Sequence, residues 1–174
     1  MSLGSLPAIP GGTEESRYHF VMSRSKKSAG SAPASAASLR QIVQVAKAIG
    51  HPARLRILAM LSGRTLCVCQ MTSVLEVASS TVSGHLNELR RSGLVIEDKQ
   101  GKLVYYRLDD RSPFANLVAD AIALVDSDET ISHDRTLIDR VRAVPIEVLT
   151  RAGLRLDRVG IKRQPLRRVA PART

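Results

Sequence analysis

Ala78-Ser79-Ser80-Thr81-Val82-Ser83-Gly84-His85-Leu86-Asn87-Glu88-Leu89-Arg90-Arg91-Ser92-Gly93 reads as a helix that opens on small residues and stops at a glycine. Val82, Leu86 and Leu89 fall at i, i+4 and i+7, which sets them on one core-facing stripe. Roughly opposite lie Ser80, Ser83, Gly84, Asn87 and Arg91, with Thr81 beside them at the N-terminal end. Small, polar and basic groups of this kind can approach base edges or phosphates, so the segment is a candidate DNA-recognition helix. Gly84 costs roughly 1 kcal/mol against alanine inside a helix. It either permits close backbone approach to DNA or simply removes a contact.

Downstream, Leu94-Val95-Ile96-Glu97 and Lys102-Leu103-Val104-Tyr105-Tyr106-Arg107-Leu108 are β-rich runs, and Asp98-Lys99-Gln100-Gly101 between them has hairpin-turn chemistry. Lys99 and Lys102 then sit near the tip of a wing, where they can reach phosphates or the flanking minor groove. Read without DNA, the same hairpin is a solvated surface element. Upstream, Leu39, Ile42, Val43, Ala46 and Ile49 mark one face of a first helix ending near Gly50. Pro52 suits a first helical turn, Leu55, Leu58 and Leu61 form the stripe of a second helix closed by Ser62-Gly63, and a short third helix is expected from about Cys67 to Glu76. After Asp109-Asp110, a further helix carries Phe114, Leu117, Val118, Ala121, Ile122 and Val125, a stripe that completes the core or pairs two subunits.

The chain of 174 residues carries a net charge of +10, which favours a polyanionic partner, with nucleic acid the leading candidate. That charge is concentrated at the ends: residues 1–38 hold four basic and two acidic groups, and residues 155–174 hold seven basic and one acidic. Aromatics are scarce, so the core is built from Leu, Val, Ile and Ala, and a large aromatic-lined substrate pocket is not expected. The organisation expected is a disordered extension over 1–38, rich in Ser, Gly, Ala and Pro; a DNA-binding and dimerisation domain over 39–127; a weaker helical segment over 128–154, broken at Pro145; and a disordered, solvated basic tail over 155–174. The fold class is mainly α with a β-hairpin wing, a winged helix-turn-helix. No apolar run has signal-peptide or membrane length, so a cytoplasmic protein with no membrane partner is expected. The two cysteines, Cys67 and Cys69, are read as too close in sequence for a relaxed structural disulfide, which leaves free thiols.

Four ordered segments now carry a resemblance: Ala46-Lys47-Ala48-Ile49-Gly50-His51-Pro52-Ala53-Arg54-Leu55-Arg56-Ile57-Leu58, Leu66-Cys67-Val68-Cys69-Gln70, Ser80-Thr81-Val82-Ser83-Gly84-His85-Leu86 and Val104-Tyr105-Tyr106-Arg107-Leu108. Together they resemble the ArsR/SmtB winged-helix regulators over roughly residues 39–125. The resemblance implies a homodimer with its first and last helices at the interface, double-stranded operator DNA as partner, and a ligand that changes operator affinity. In the arsenic-responsive branch a Leu-Cys-Val-Cys segment holds the metalloid, which implies Cys67 and Cys69 as ligands. Thiolates are soft donors suited to As(III), and a helix N-terminus favours the thiolate. On an ideal helix residues two apart point about 200° apart, so chelation by both is expected to distort the first turn.

The pattern is incomplete in three places. Thr72 stands where a third cysteine often follows, so a third ligand must be a small thiol, an oxygen or a distant group. The N-terminal cysteines of cadmium- and lead-sensing relatives are missing. At the last-helix metal site of the family only Asp110 is retained, with Ser112, Ala123 and Asp126 at the other positions, so zinc or nickel there is not implied. His51, His85 and His133 are read as structural, His133 as a surface or capping residue. The cysteine pair itself has three readings: an effector site, two small buried hydrophobes, or a redox sensor.

The leading expectation is a homodimeric repressor on an inverted-repeat operator, released by arsenite at Cys67 and Cys69, with no permanently bound cofactor. Alternatives are a repressor or activator with another effector or redox signal and, remotely, an arsenical- or thiol-handling enzyme. No nucleotide loop, metal-hydrolase motif or paired catalytic carboxylate supports an enzyme.

Overall fold

The structure, a computed structural model, describes residues 37–165. The expectations for residues 1–36 and 166–174 lie outside them. Helix α1 (Leu39–Ile49) opens on a capping box in which Ser38 and Gln41 each satisfy the other's backbone N–H. Arg54 closes it from below, donating to the carbonyls of Ala48 at 2.7 Å and Lys47 at 2.6 Å, two of the orphan acceptors of its last turn. Val45 and Ala48 face the core, whereas Leu39, Ile42, Val43 and Ala46 of the expected stripe stay exposed, Leu39 at 81%. The apolar arc of α1 is thus wider than the chain's own core can cover.

Helix α2 (Pro52–Leu61) starts with Pro52 behind His51, whose Nδ1 accepts from Ala53 N, and its last five residues are all buried. Strand β1 (Leu66–Cys67) leads directly into α3 (Val68–Leu75), and a short turn joins α3 to α4 (Ser79–Arg91). Val82, Leu86 and Leu89 of α4 are fully buried, as their spacing requires. Strands β2 (Val95–Gln100) and β3 (Leu103–Leu108) form the wing, and β1 joins the free edge of β3 to give the antiparallel order β1-β3-β2. The wing is longer than expected: Asp98 and Lys99 pair with Tyr105 and Val104 rather than turning, and the reversal is made by Gly101 and Lys102, with Gly101 at φ +61°.

Helix α5 (Ala115–Leu124) buries Val118 and Ile122 and leaves Leu117 and Leu124 exposed. Helix α6 (Glu129–Arg142), capped by Asp128, buries Ile131, Leu137, Ile138 and Val141, and α7 (Ile146–Arg151) buries Leu149. The solvated tail expected from residue 155 is not what the first residues of that segment form. Leu156 and Ile161 are buried around a 3-10 turn at Asp157–Val159, because the chain folds back across α3. Two arginines fix this extension. Arg56 of α2 donates to both carboxylate oxygens of Asp134 at 2.6 and 2.8 Å, and Asp134 is itself buried. Arg163 donates to the carbonyls of Ser73 (2.6 Å) and Val74 (2.9 Å) and pairs with Glu76 at 2.9 Å.

Candidate nucleic-acid interface and cysteine site

The turn between α3 and α4 is held by an unusual stop. Glu76 adopts a left-handed conformation at φ 56°, which a non-glycine residue occupies at a cost, and Arg163 caps the carbonyls next to it while pairing with its carboxylate. A residue from the C-terminal extension thus braces the end of α3 where the turn to α4 begins.

On α4, Ser80, Thr81, Gly84, Asn87 and Arg91 are exposed on one side, and Ser83 is half-buried. Arg91 pairs with Glu88 one turn back at 3.2 Å. Lys102 lies at the wing tip, and Lys99, on β2 rather than in the turn, is exposed and 3.8 Å from Glu97. A network not foreseen from sequence joins the wing to α4: Glu97 accepts from the Tyr106 hydroxyl at 3.0 Å and pairs with Arg90 at 3.4 Å. Burial and the Glu97 hydrogen bond push the Tyr106 phenol up to about 12. His51 and His85 lie with ring centroids 4.6 Å apart, joining the start of α2 to α4. Burial, then the neighbouring charges of His51 and Arg54, holds His85 below its ordinary value. His133 is not a surface cap. Its Nε2 is buried without a hydrogen-bond partner.

Cys67 and Cys69 are joined by a disulfide, which corrects the expectation of two free thiols. The reason is local backbone geometry. Cys67 is not a helical residue: it is the end of β1 at φ −83°, ψ 160°, and serves as the N-cap of α3. The 200° divergence of an ideal helix never arises, and the two sulfurs converge across a Cα–Cα distance of 5.4 Å without distorting α3. Cys67 also makes a capping box, with its Sγ accepting from Gln70 N at 3.4 Å and its N–H donating to Gln70 Oε1 at 3.0 Å. Cys67 is buried and Cys69 half-buried. The pair lines a groove of about 470 Å³ whose other walls come from Ser79 and Ser83 of α4, Lys102–Val104 of the wing, and Thr150 and Leu154 beyond. Thr72, one turn along α3, keeps its Oγ1 buried and without a partner.

Asp110, Ser112, Ala123 and Asp126 surround a separate cavity of about 510 Å³, where Arg135 pairs with Asp126. Among the described residues no group of three or more His, Cys, Asp or Glu side chains is placed to hold a metal ion, and no helix is long and apolar enough to cross a membrane.

Residues 51–97 match the model of a family described as bacterial regulatory protein, arsR family. The chain is 40% identical over 70 residues to a cadmium resistance transcriptional regulatory protein CadC homolog of Staphylococcus aureus, covering 40% of this chain and 58% of that protein. It is 40% identical over 72 residues to the arsenical resistance operon repressor of Escherichia coli (strain K12), covering 41% of this chain and 62% of the repressor. It is also 39% identical over 85 residues to an uncharacterised HTH-type transcriptional regulator of Methanocaldococcus jannaschii, covering 48% of this chain and 89% of that protein. The chain thus spans about three fifths of the first two of these relatives and nearly all of the third.

Proposed function

Because the chain belongs to the arsR family of bacterial regulatory proteins and is a transcriptional regulator rather than an enzyme, we propose that it is a cytoplasmic, homodimeric repressor whose grip on operator DNA is set by the state of Cys67 and Cys69. The observation that carries this reading is the position of the pair at the β1–α3 junction, in one groove with Ser79 and Ser83 of α4 and Lys102 of the wing. Any group bound there meets both DNA-facing elements.

Ser80, Thr81, Ser83, Gly84, Asn87 and Arg91 form the recognition surface, and Lys99 and Lys102 hold flanking phosphates. Dimerisation is supported by the exposed Leu39, Ile42 and Val43 of α1 and the exposed Leu117 and Leu124 of α5, apolar faces that a second copy would bury. In a reducing compartment the pair is a dithiol, and As(III) is the effector that two converging soft thiolates suit. The unpartnered Thr72 Oγ1 supplies no thiolate, so a third ligand would come from solvent or a small thiol. Two mechanical routes lead from Cys67 to the DNA face. One is the β1–β3 ladder, where Cys67 pairs with Tyr105, and then Tyr106–Glu97–Arg90 into α4. The other is the α3 capping box that Cys67 itself makes.

The disulfide favours a second reading of the same site, a redox sensor in which oxidation closes Cys67 to Cys69. Fluorescence anisotropy of the reduced protein on its own upstream duplex, titrated with arsenite and separately with a mild thiol oxidant, tests both. Release by arsenite in the wild type but not in Cys67→Ser/Cys69→Ser supports the metalloid reading. A response to oxidant alone transfers the assignment to redox sensing, and tight binding indifferent to both overturns the switch. Coupling of about 1–3 kcal/mol predicts a roughly 5- to 150-fold change in affinity.

A further inference from the structure

The extension beyond α5 is well anchored, yet it presents cations that the packing does not use. Leu156 and Ile161 are buried and Arg163 is committed to the end of α3, so the backbone between them is held in place. Arg155 and Lys162 project from this fixed segment and are exposed. They line a cleft of about 870 Å³ whose opposite wall runs from Thr72 and Ser73 through Glu76, which Arg163 pairs at 2.9 Å, to Val77, Ala78 and Ser79, the turn into α4 and its first residue. Helix α4 has no side-chain cap at its N-terminus, and the N–H groups of Thr81 and Val82 turn back onto the Ala78 carbonyl at 2.9 and 3.1 Å. The only acid on this segment is Asp157, paired with Arg155 at 3.2 Å, with both side chains more than half exposed.

We propose that the Gly153–Lys162 segment is a second phosphate-binding element, with Arg155 and Lys162 contacting the backbone of double-stranded DNA beside the strand that the start of α4 meets. The proposal rests on the reading of α4 as the DNA-facing helix. It assigns to the extension a share of the sequence-independent part of binding: two cations on a backbone already held in place meet phosphates with only their side chains left to order, and the Arg155–Asp157 pair opens when a phosphate replaces the carboxylate. Charge complementarity selects the partner, since the segment adds cations where the recognition helix already brings DNA.

The test is anisotropy of the full reduced chain on a mixed-sequence duplex and on its own upstream duplex across a range of salt. Arg155→Gln/Lys162→Gln should weaken both complexes alike and flatten the plot of log affinity against log salt by about 0.9 for each phosphate that is no longer neutralised. Asp157→Asn, which removes the competing carboxylate without removing a cation, should do the reverse and tighten both. Unchanged affinity and slope in both variants, with Asn87→Ala still impairing the upstream complex, overturns the proposal and leaves the α4 reading intact. A weakening confined to one sequence overturns the phosphate assignment. No binding by the wild type at any salt overturns both.

Discussion

Replacing Asp134 by alanine breaks the pin between α2 and α6 and gives the clearest quantitative test of whether the extension is part of the folded body. Both Asp134 oxygens accept from the Arg56 guanidinium, the carboxylate side chain is 2% exposed, and the Arg56 side chain is 28% exposed. The Asp134 hydrogen bond raises the pKa of Arg56 in the intact protein; without it the guanidinium still stays charged, as arginine does in proteins, and is left facing a hole. Removing one partner of a buried pair costs about 3–5 kcal/mol. Water reaching the exposed edge of Arg56 recovers some of this, so about 3 kcal/mol is expected. For a body of this size each kcal/mol is worth about 3–5 °C, which places the fall in Tm near about 10 °C. Urea titration followed by circular dichroism should show a lower midpoint with an unchanged slope. Arg56→Met/Asp134→Leu should recover most of the deficit, because an apolar pair of similar volume avoids the desolvation cost. A shift below about 0.5 kcal/mol, within the range of ordinary surface substitutions, would refute the reasoning.

Two further outcomes follow from the same structure. His85 has a depressed folded-state pKa, so below its ordinary value the unfolded chain takes up the proton more readily than the folded one; stability should fall as pH drops through about 6.5, and His85→Gln should flatten that slope in urea midpoints measured across the range. Leu39→Lys and Leu124→Lys place charges on the exposed apolar faces of α1 and α5; burying each leucine against a second copy is worth about 1.5–3 kcal/mol, so the pair of changes should raise the dimer dissociation constant at least about a hundredfold by sedimentation equilibrium, and an unaltered constant would remove those faces from the interface.

The elements most legible in the sequence are those with strong local periodicity. Helix α4 is readable because Val82, Leu86 and Leu89 have one spacing and one environment, and Pro52 marks the start of α2. The full length of the wing is not, because Asp98 and Lys99 have turn chemistry while the β2–β3 ladder continues through their backbones. A two-residue strand carries no periodic signal, so nothing local announces that Cys67 is extended; that single fact turns two diverging helical thiols into a converging pair. The segment from residue 155 has the composition of a tail because its buried residues, Leu156 and Ile161, stand irregularly among arginines. What holds them is non-local: Arg56 and Asp134 are 78 positions apart, beyond the reach of any window.

Arg163 also sets an order on the making of the molecule. The carbonyls of Ser73 and Val74 wait for a donor that lies 90 and 89 positions later in the chain. On a translating ribosome, α3, α4 and the wing emerge well before their clamp does. A nascent chain arrested short of residue 163 has Cys67, Cys69 and α4 but not the donor that satisfies the end of α3. The end of α3 is therefore completed late in synthesis, when Arg163 reaches it from the C-terminal extension.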